Sequence, residues 1–211
     1  IPYHLDMKAK PGQIVVIEIT AQPSFKSRPM GKVIQILGDY ADSGMEIEIA
    51  LRKHNLPHEF SAEAIALAES YPKQVQAKDY QNRIDCRALP LITIDGETAR
   101  DFDDAVFAEP QGKGWRLVVA IADVSFYVQP KDALDKGAID RGNSVYFPRR
   151  VIPMLPEKLS NGLCSLNPEV ERLCMVCDML ITAKGDIHAY QFYPAVMYSH
   201  ARFTYTEVAA I

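Results

Sequence analysis

Hydrophobic and polar positions divide this chain into two differently patterned parts. Over residues 1–52 the apolar runs are short and broken by Gly and Pro. Gln13-Ile14-Val15-Val16-Ile17-Glu18-Ile19-Thr20 follows the turn Lys10-Pro11-Gly12, and Gly31 to Leu37 gives a second run. Met45 to Leu51 alternates, with Glu46 and Glu48 on one side and Ile47 and Ile49 on the other. A period of two in β-branched residues predicts three strands. Short strands with Gly and Pro turns suit a small barrel, five-stranded or incomplete. Between the first two runs, Ser24-Phe25-Lys26-Ser27-Arg28-Pro29 mixes cations with an aromatic. That loop is either a solvated turn or, in a small barrel, a stacking and phosphate contact for nucleic acid.

Residues 53–88 are polar and connecting. Ser61 has the chemistry of an N-cap, Glu63 lies in the first turn and Pro72 closes the segment; this predicts a short helix in a linker, packed on a neighbouring domain. From residue 89 the pattern turns mixed α/β. Leu89 to Ile94 reads as a buried strand. Two hairpins are predicted, one around Pro110-Gln111-Gly112-Lys113-Gly114 and one around Lys184-Gly185-Asp186. Helices are expected over Pro130–Arg141, ending at Gly142, and over Pro156–Leu166. The division is thus 1–52, a linker with a short helix over 53–88, and a body over 89–211.

Composition narrows the classes. The chain has 211 residues, 48% hydrophobic and 24% charged, as a folded globular protein has. A net charge of −4 and a pI of about 5.7 disfavour a freely basic nucleic-acid binder unless its cations are locally concentrated. Four cysteines, Cys86, Cys164, Cys174 and Cys177, are too sparse for a disulfide scaffold. The N-terminus shows no signal peptide, and the longest apolar stretch, Leu117 to Val128, is interrupted by Asp123 and too short for a membrane span. A cytoplasmic location is the simplest expectation. The chain begins at Ile1 and stops about one turn into a helix capped by Thr204 or Thr206, which reads as a piece of something longer.

The candidate chemistry lies in Ile94-Asp95-Gly96-Glu97-Thr98-Ala99-Arg100-Asp101-Phe102-Asp103-Asp104. Asp95, Asp101, Asp103 and Asp104 fall in one loop between two apolar runs, at the edge of a core. Like charges there repel unless a cation neutralises them, and oxygen-only ligands favour Mg²⁺ or Mn²⁺. Hydrolysis of a phosphodiester by two ions roughly 4 Å apart needs several carboxylates. A solvated acidic turn is the plain alternative; the apolar flanks and the lack of Lys in the loop favour the metal site. An EF-hand is excluded, because its sixth position needs Gly and this loop has Arg100. Tyr146, followed by Arg149 and Arg150, is either a core aromatic before a solvated turn or a stacking platform beside phosphate-binding cations. Cys174 and Cys177 lack a matching pair and read as strand packing. Asp123 is either a fifth site carboxylate or a structural hydrogen-bonding group. The five histidines show no ligand spacing.

Several stretches carry a family likeness: Leu91 to Asp95 through Asp101 to Val106, Val119 to Ser125, Ser144 to Pro148, Val151 to Pro156, Leu159 to Pro168, and Ser199-His200-Ala201-Arg202-Phe203-Thr204-Tyr205. They resemble the ribonuclease II/ribonuclease R family of 3′–5′ exoribonucleases, with an RNB catalytic domain, and are nearer to its ribonuclease R branch. Residues 1–52 resemble that family's second cold-shock domain, an OB-like barrel. The expected fold class is therefore a β barrel of the OB-like cold-shock kind followed by a mixed α/β, partial RNB catalytic domain. The resemblance implies processive, Mg²⁺-assisted hydrolysis of single-stranded RNA to nucleoside 5′-monophosphates by a cytoplasmic enzyme, monomeric at full length. It makes Asp95, Asp101, Asp103 and Asp104 the metal ligands, with Asp103 and then Asp101 the catalytic members. It assigns Tyr146 to the 3′-terminal nucleotide, and Tyr205 and Arg149 to RNA binding. It also places the family's catalytic arginine after residue 211, which makes Arg100 structural and the isolated chain inactive. Two other readings stand beside it: an RNA-binding module with a degenerate nuclease domain, and a Mg²⁺-dependent small-molecule phosphatase, which leaves the barrel unexplained.

Overall fold

Gly12, at φ 94°, turns the chain into β1 (Gln13–Ala21), which pairs antiparallel with β2 (Met30–Asp39) from Gln13↔Asp39 to Ala21↔Met30. Gly31 permits that approach: a Cβ there would stand 2.9 Å from the Glu18 carbonyl oxygen. In this computed structural model, which describes residues 1–211, contacts divide the chain into Ile1–His58 and Glu59–Ile211.

The third strand expected in the first unit is absent. Met45–Lys53 is a helix, α1. Glu46 and Glu48 lie in its first turn and Arg52 and Lys53 in its last, which suits the helix dipole. Arg52 also meets Glu48 one turn back at 2.5 Å. Seven alternating residues fit either period; Met45 and Leu51 are the two this helix buries. The unit thus holds two strands of an incomplete barrel. Phe25, in the loop between them, is fully exposed.

In the second unit α2 (Ala62–Ser70) is capped by Ser61, whose Oγ accepts the Ala64 N–H at 3.1 Å. The segment expected to link the units is divided: α1 ends at Lys53, and α2 packs inside the second unit, where Ala64 and Ala68 are buried. Next come β3 (Ile84–Asp85), β4 (Ile92–Asp95), β5 (Asp104–Gln111), β6 (Gly114–Ala122), α3 (Val124–Tyr127) and α4 (Ala133–Arg141). A small hairpin follows, β7 (Val145–Phe147) with β8 (Arg150–Ile152), then a π-helical turn at Lys158–Leu163. The chain closes with β9 (Glu171–Ile181), β10 (Ile187–Tyr198), β11 (Ala201–Thr204) and α5 (Tyr205–Ala209).

One seven-stranded sheet organises this unit, in the order β11-β4-β5-β6-β9-β10-β3. Its two outer pairs, β11 with β4 and β10 with β3, are parallel; the inner ones are antiparallel. Side chains alternate between the faces of each strand. One face buries Val118, Ala120, Cys174, Val176 and Met197 with Leu91 and Phe102. On the other, Leu173 and Val196 pack under α2, α4 and the π-helical turn through Leu134, Leu159 and Leu163. Farther along, Ile121, Met175, Tyr190 and Phe192 remain exposed. Cys174 and Cys177, three apart on β9, point to opposite faces; both are free thiols, and burial pushes the Cys174 thiol up to about 12. No helix is long and apolar enough to cross a membrane.

Asp123, at the end of β6, is a structural group. Its carboxylate accepts from Arg83 Nη2 at 2.6 Å and from Ser125 Oγ at 2.6 Å, and the Arg83 guanidinium lies 5.2 Å over the Phe126 ring. Both partners of the ion pair are less than a tenth exposed. Removing one partner of a buried pair strands the other charge. Asp123→Ala is therefore expected to destabilise the second unit by about 3–5 kcal/mol in urea unfolding; a loss within ~0.5 kcal/mol, the range of an ordinary surface change, would show that the pair holds nothing.

Candidate active site

Sheet topology, rather than chain proximity alone, gathers the aspartates. β4 runs antiparallel to β5, with Ile92 opposite Val106, so Asp95 at the end of β4 and Asp104 at the start of β5 share one sheet edge. β6 reinforces this edge: Asp104 faces Ile121, and the Ala122 N–H donates to the Asp103 carbonyl at 2.9 Å. On the other side β11 lies parallel to β4 and sets Thr204 opposite Asp95. Tyr205 follows as the first residue of α5 and is exposed.

Residues 96–103 between the strands form neither helix nor strand. Arg202, on β11, fastens them: its Nη2 donates to the carbonyls of Gly96 and Glu97, both at 3.0 Å, and its guanidinium lies 4.9 Å over the buried Phe102 ring. Thr206 Oγ1 adds a bond to Glu97 Oε1 at 2.7 Å. α5 itself is capped by Thr204, with Glu207 completing a capping box.

The carboxylates act on one another. Burial raises the Asp95 carboxyl above its ordinary range, Asp104 and Asp101 raise it further, and Arg202 opposes them. Asp103 is raised by partial desolvation, although part of its surface meets solvent, and then by Asp101, Asp104 and Asp95. The four thus form one electrostatic group. No three carboxylate, imidazole or thiol groups are placed to hold a metal ion directly. The donor set still fits a hard divalent ion: it is all oxygen, and Asp95 Oδ2 is buried without a hydrogen-bond partner.

Tyr146 lies on β7 and is 64% exposed. Its hydroxyl donates to Asp101 Oδ2 at 3.1 Å. Burial of the hydroxyl end and the Asp101 charge raise its pKa, so it is a neutral donor. Pro148 and Arg149 make the turn into β8. Tyr146, Asp101, Arg100, Arg149 and Arg150 line one cleft of about 490 Å³. A larger hollow of about 610 Å³ lies elsewhere, beside Glu109, Arg116 and Asp178; there Arg116 is already paired with both acids, at 3.1 and 2.7 Å.

The structure therefore places Asp95, Asp101, Asp103 and Asp104 on or beside one loop, and of these Asp101 joins Tyr146 and Arg149 along the cleft, with Tyr205 following the strand beside Asp95. Asp123 stands apart, bound to Arg83. Spacing alone missed Arg202 and Ser165, both of which grip the loop. Their signal was weak: each lies in a family-like stretch, but its contact depends on pairings about 60–100 residues long in sequence.

The sequence comparisons agree with this architecture. A family model for the RNB domain matches residues 83–211, and a cold shock domain model matches residues 1–61. The chain belongs to the RNB-domain family, with a cold-shock, OB-type domain preceding the RNB part. Ribonuclease R of Vibrio cholerae is 57% identical over 212 residues, a match covering 100% of this chain and 26% of that protein. The chain thus spans about a quarter of the length of the curated relative. Among solved structures, Mycoplasma genitalium RNase R in complex with ribose-methylated single-stranded RNA is 29% identical with a TM-score of 0.91, covering 99% of this chain and 32% of that one. The same protein with double-stranded RNA gives 30% identity and a TM-score of 0.90, covering 99% and 36%.

The raised carboxyls give a pH prediction. A carboxyl whose folded pKa lies above its unfolded value favours the fold below the unfolded value, and that contribution is lost as pH rises through the folded pKa. For Asp95 and Asp103 the loss begins above the ordinary value of 3.8. Without divalent ions, Asp103→Asn is expected to raise the melting temperature at pH 7, with a gain that shrinks toward pH 4. A gain that instead grows on acidification in calorimetry would reverse the assigned direction.

Proposed function

We propose that this chain is the aspartate-bearing part of a 3′–5′ exoribonuclease that degrades single-stranded RNA processively to nucleoside 5′-monophosphates. It is expected to work within a polypeptide of its relatives' length and to be inactive alone. The observation that carries this reading is the joining of four mutually repelling carboxylates to an exposed tyrosine and a cationic cleft through one hydrogen bond, Tyr146 to Asp101.

Asp95, Asp101, Asp103 and Asp104 are the residues that would hold Mg²⁺. Held there, a divalent ion would supply charge neutralisation for the phosphate and activation of a water. The chain's own groups do the rest. The exposed Tyr146 ring offers a stacking face to the terminal base, worth about 1–3 kcal/mol. Its hydroxyl orients Asp101, so the base-holding group and a site carboxylate move together. Arg149, across the cleft, attracts the phosphate chain, and Tyr205 extends the contact past Asp95. Arg100 shares the cleft but is read as structural. The known structures described as RNA complexes support RNA as the ligand class.

The test uses a protein of the relatives' length with labelled single-stranded RNA and saturating Mg²⁺. Asp103→Asn is expected to abolish cleavage while leaving RNA affinity within about threefold, because stacking and phosphate contacts lie elsewhere. Tyr146→Ala is expected to weaken binding by about 1–3 kcal/mol and shift the stopping point, with hydrolysis retained. Wild-type rates from Asp103→Asn would overturn the catalytic assignment. Wild-type binding with no cleavage at all would leave an RNA-binding module with a degenerate nuclease domain.

A further inference from the structure

We propose that Ser165 is a positioning residue of the aspartate site, its single hydroxyl fixing the backbone on both sides of Asp101. This inference rests on the functional reading above. Because residues 96–103 lack regular structure, the direction of Asp101 and Asp103 depends on a few tethers. Ser165 is 0% exposed. Its Oγ accepts the Phe102 N–H at 2.9 Å and donates to the Arg100 carbonyl at 3.2 Å. The next residue, Leu166, donates its N–H to the Phe102 carbonyl at 2.8 Å. Both backbone polar groups of Phe102 are therefore held, and Asp101 sits between two anchored peptide groups. Its carboxylate is caught from the other side by Tyr146. Asp103 follows the anchored Phe102 and is tied to β6 through Ala122.

The anchor is itself rigidly held. Arg172, 6% exposed, shares its Nε–H between the carbonyls of Gly162 at 3.0 Å and Ser165 at 2.8 Å, and its Nη1 donates to the Glu171 carbonyl at 2.9 Å. Burial lowers its pKa. A cation placed here at a desolvation cost is bonded to carbonyls of the segment that bears Ser165, so its effect is on the shape of that segment. Serine is the smallest side chain able to accept and donate at once. Alanine removes both bonds; threonine keeps the hydroxyl that makes them.

The experiment compares wild type, Ser165→Ala, Ser165→Thr and Ser199→Ala in a protein of the relatives' length. Ser199 is a second serine with 0% exposure, bonded to the Ala201 carbonyl at 3.2 Å and outside the aspartate loop; it controls for loss of any buried hydroxyl. In Ser165→Ala the Phe102 amide is expected to exchange its hydrogen at least about tenfold faster. The Mg²⁺ needed for half-maximal cleavage should rise by about tenfold or more, with KM for RNA within about twofold. Ser165→Thr should return both toward wild type, and Ser199→Ala should leave both unchanged. If Ser165→Ala does not fold, Ser165→Cys, a slightly larger side chain with only a weak donor and acceptor, weakens both bonds and is judged by the same readouts. Wild-type cleavage with unchanged exchange and Mg²⁺ dependence in Ser165→Ala overturns the positioning role alone, as does an equal shift in Ser199→Ala. A wild-type protein that binds RNA without cutting it removes the functional reading, and the role of Ser165 with it.

Discussion

Mutual repulsion of four carboxylates at one sheet edge is the constraint on which the rest of the second unit turns. Left to itself, a loop with this charge would spread its side chains into solvent. Here β4 and β5 deliver its two ends to neighbouring positions, and β6 holds the Asp103 backbone. From outside, β11 brings Arg202 to the loop carbonyls; from behind, the segment after the π-helical turn brings Ser165 and Leu166. None of these tethers uses a side-chain cation to neutralise the aspartates outright. Arg202 spends its hydrogen bonds on backbone carbonyls and only moderates Asp95. The loop's shape is fixed while its negative potential is kept, which is what a site for a cation requires.

Charge placement would reconcile an acidic chain with the anionic polymer proposed as its ligand. A net charge of −4 would oppose RNA if it were evenly spread. It is not. Arg149 borders the cleft that Tyr146 and Asp101 share. Elsewhere, Arg83, Arg87 and Arg116 are engaged by Asp123, Asp85, Glu171, Glu109 and Asp178. These partnered cations stiffen the sheet and its edges rather than offering charge to a ligand.

How much could be read from the sequence follows the range of each interaction. Features set within a few residues were legible: the Ser61 cap, the stop at Gly142, the turn at Lys184-Gly185-Asp186 and the start of the last helix at Thr204. Met45–Lys53 was not, because seven alternating residues satisfy a strand period as well as a helix with acids first and bases last. The aspartate cluster was legible from spacing, since its members are neighbours in sequence. Its surroundings were not: the Ser165–Phe102 bond spans 63 residues and the Arg202–Gly96 bond 106, and no local pattern specifies such pairings. The fate of Asp123 also turned on a distant partner, Arg83.

Local rules fail together in one place, and that coincidence argues for a site independently of kinship. Most of the sheet obeys ordinary packing: small and branched side chains fill its buried face, and Asp178, a buried acid, has Arg116 and Tyr193 for partners. Around the loop the pattern breaks. Asp95 keeps a buried oxygen without a donor, Asp103 is held near three like charges, and Tyr146 leaves most of its ring in solvent with its hydroxyl on an acid. The first two cost folding energy, and Arg202 only partly offsets the charge on Asp95. A divalent cation would satisfy the first two, and a nucleotide base would cover the third. Under the proposed function a divalent cation and an RNA end would together account for the three departures, whereas a solvated acidic turn accounts for none of the tethers that hold the loop.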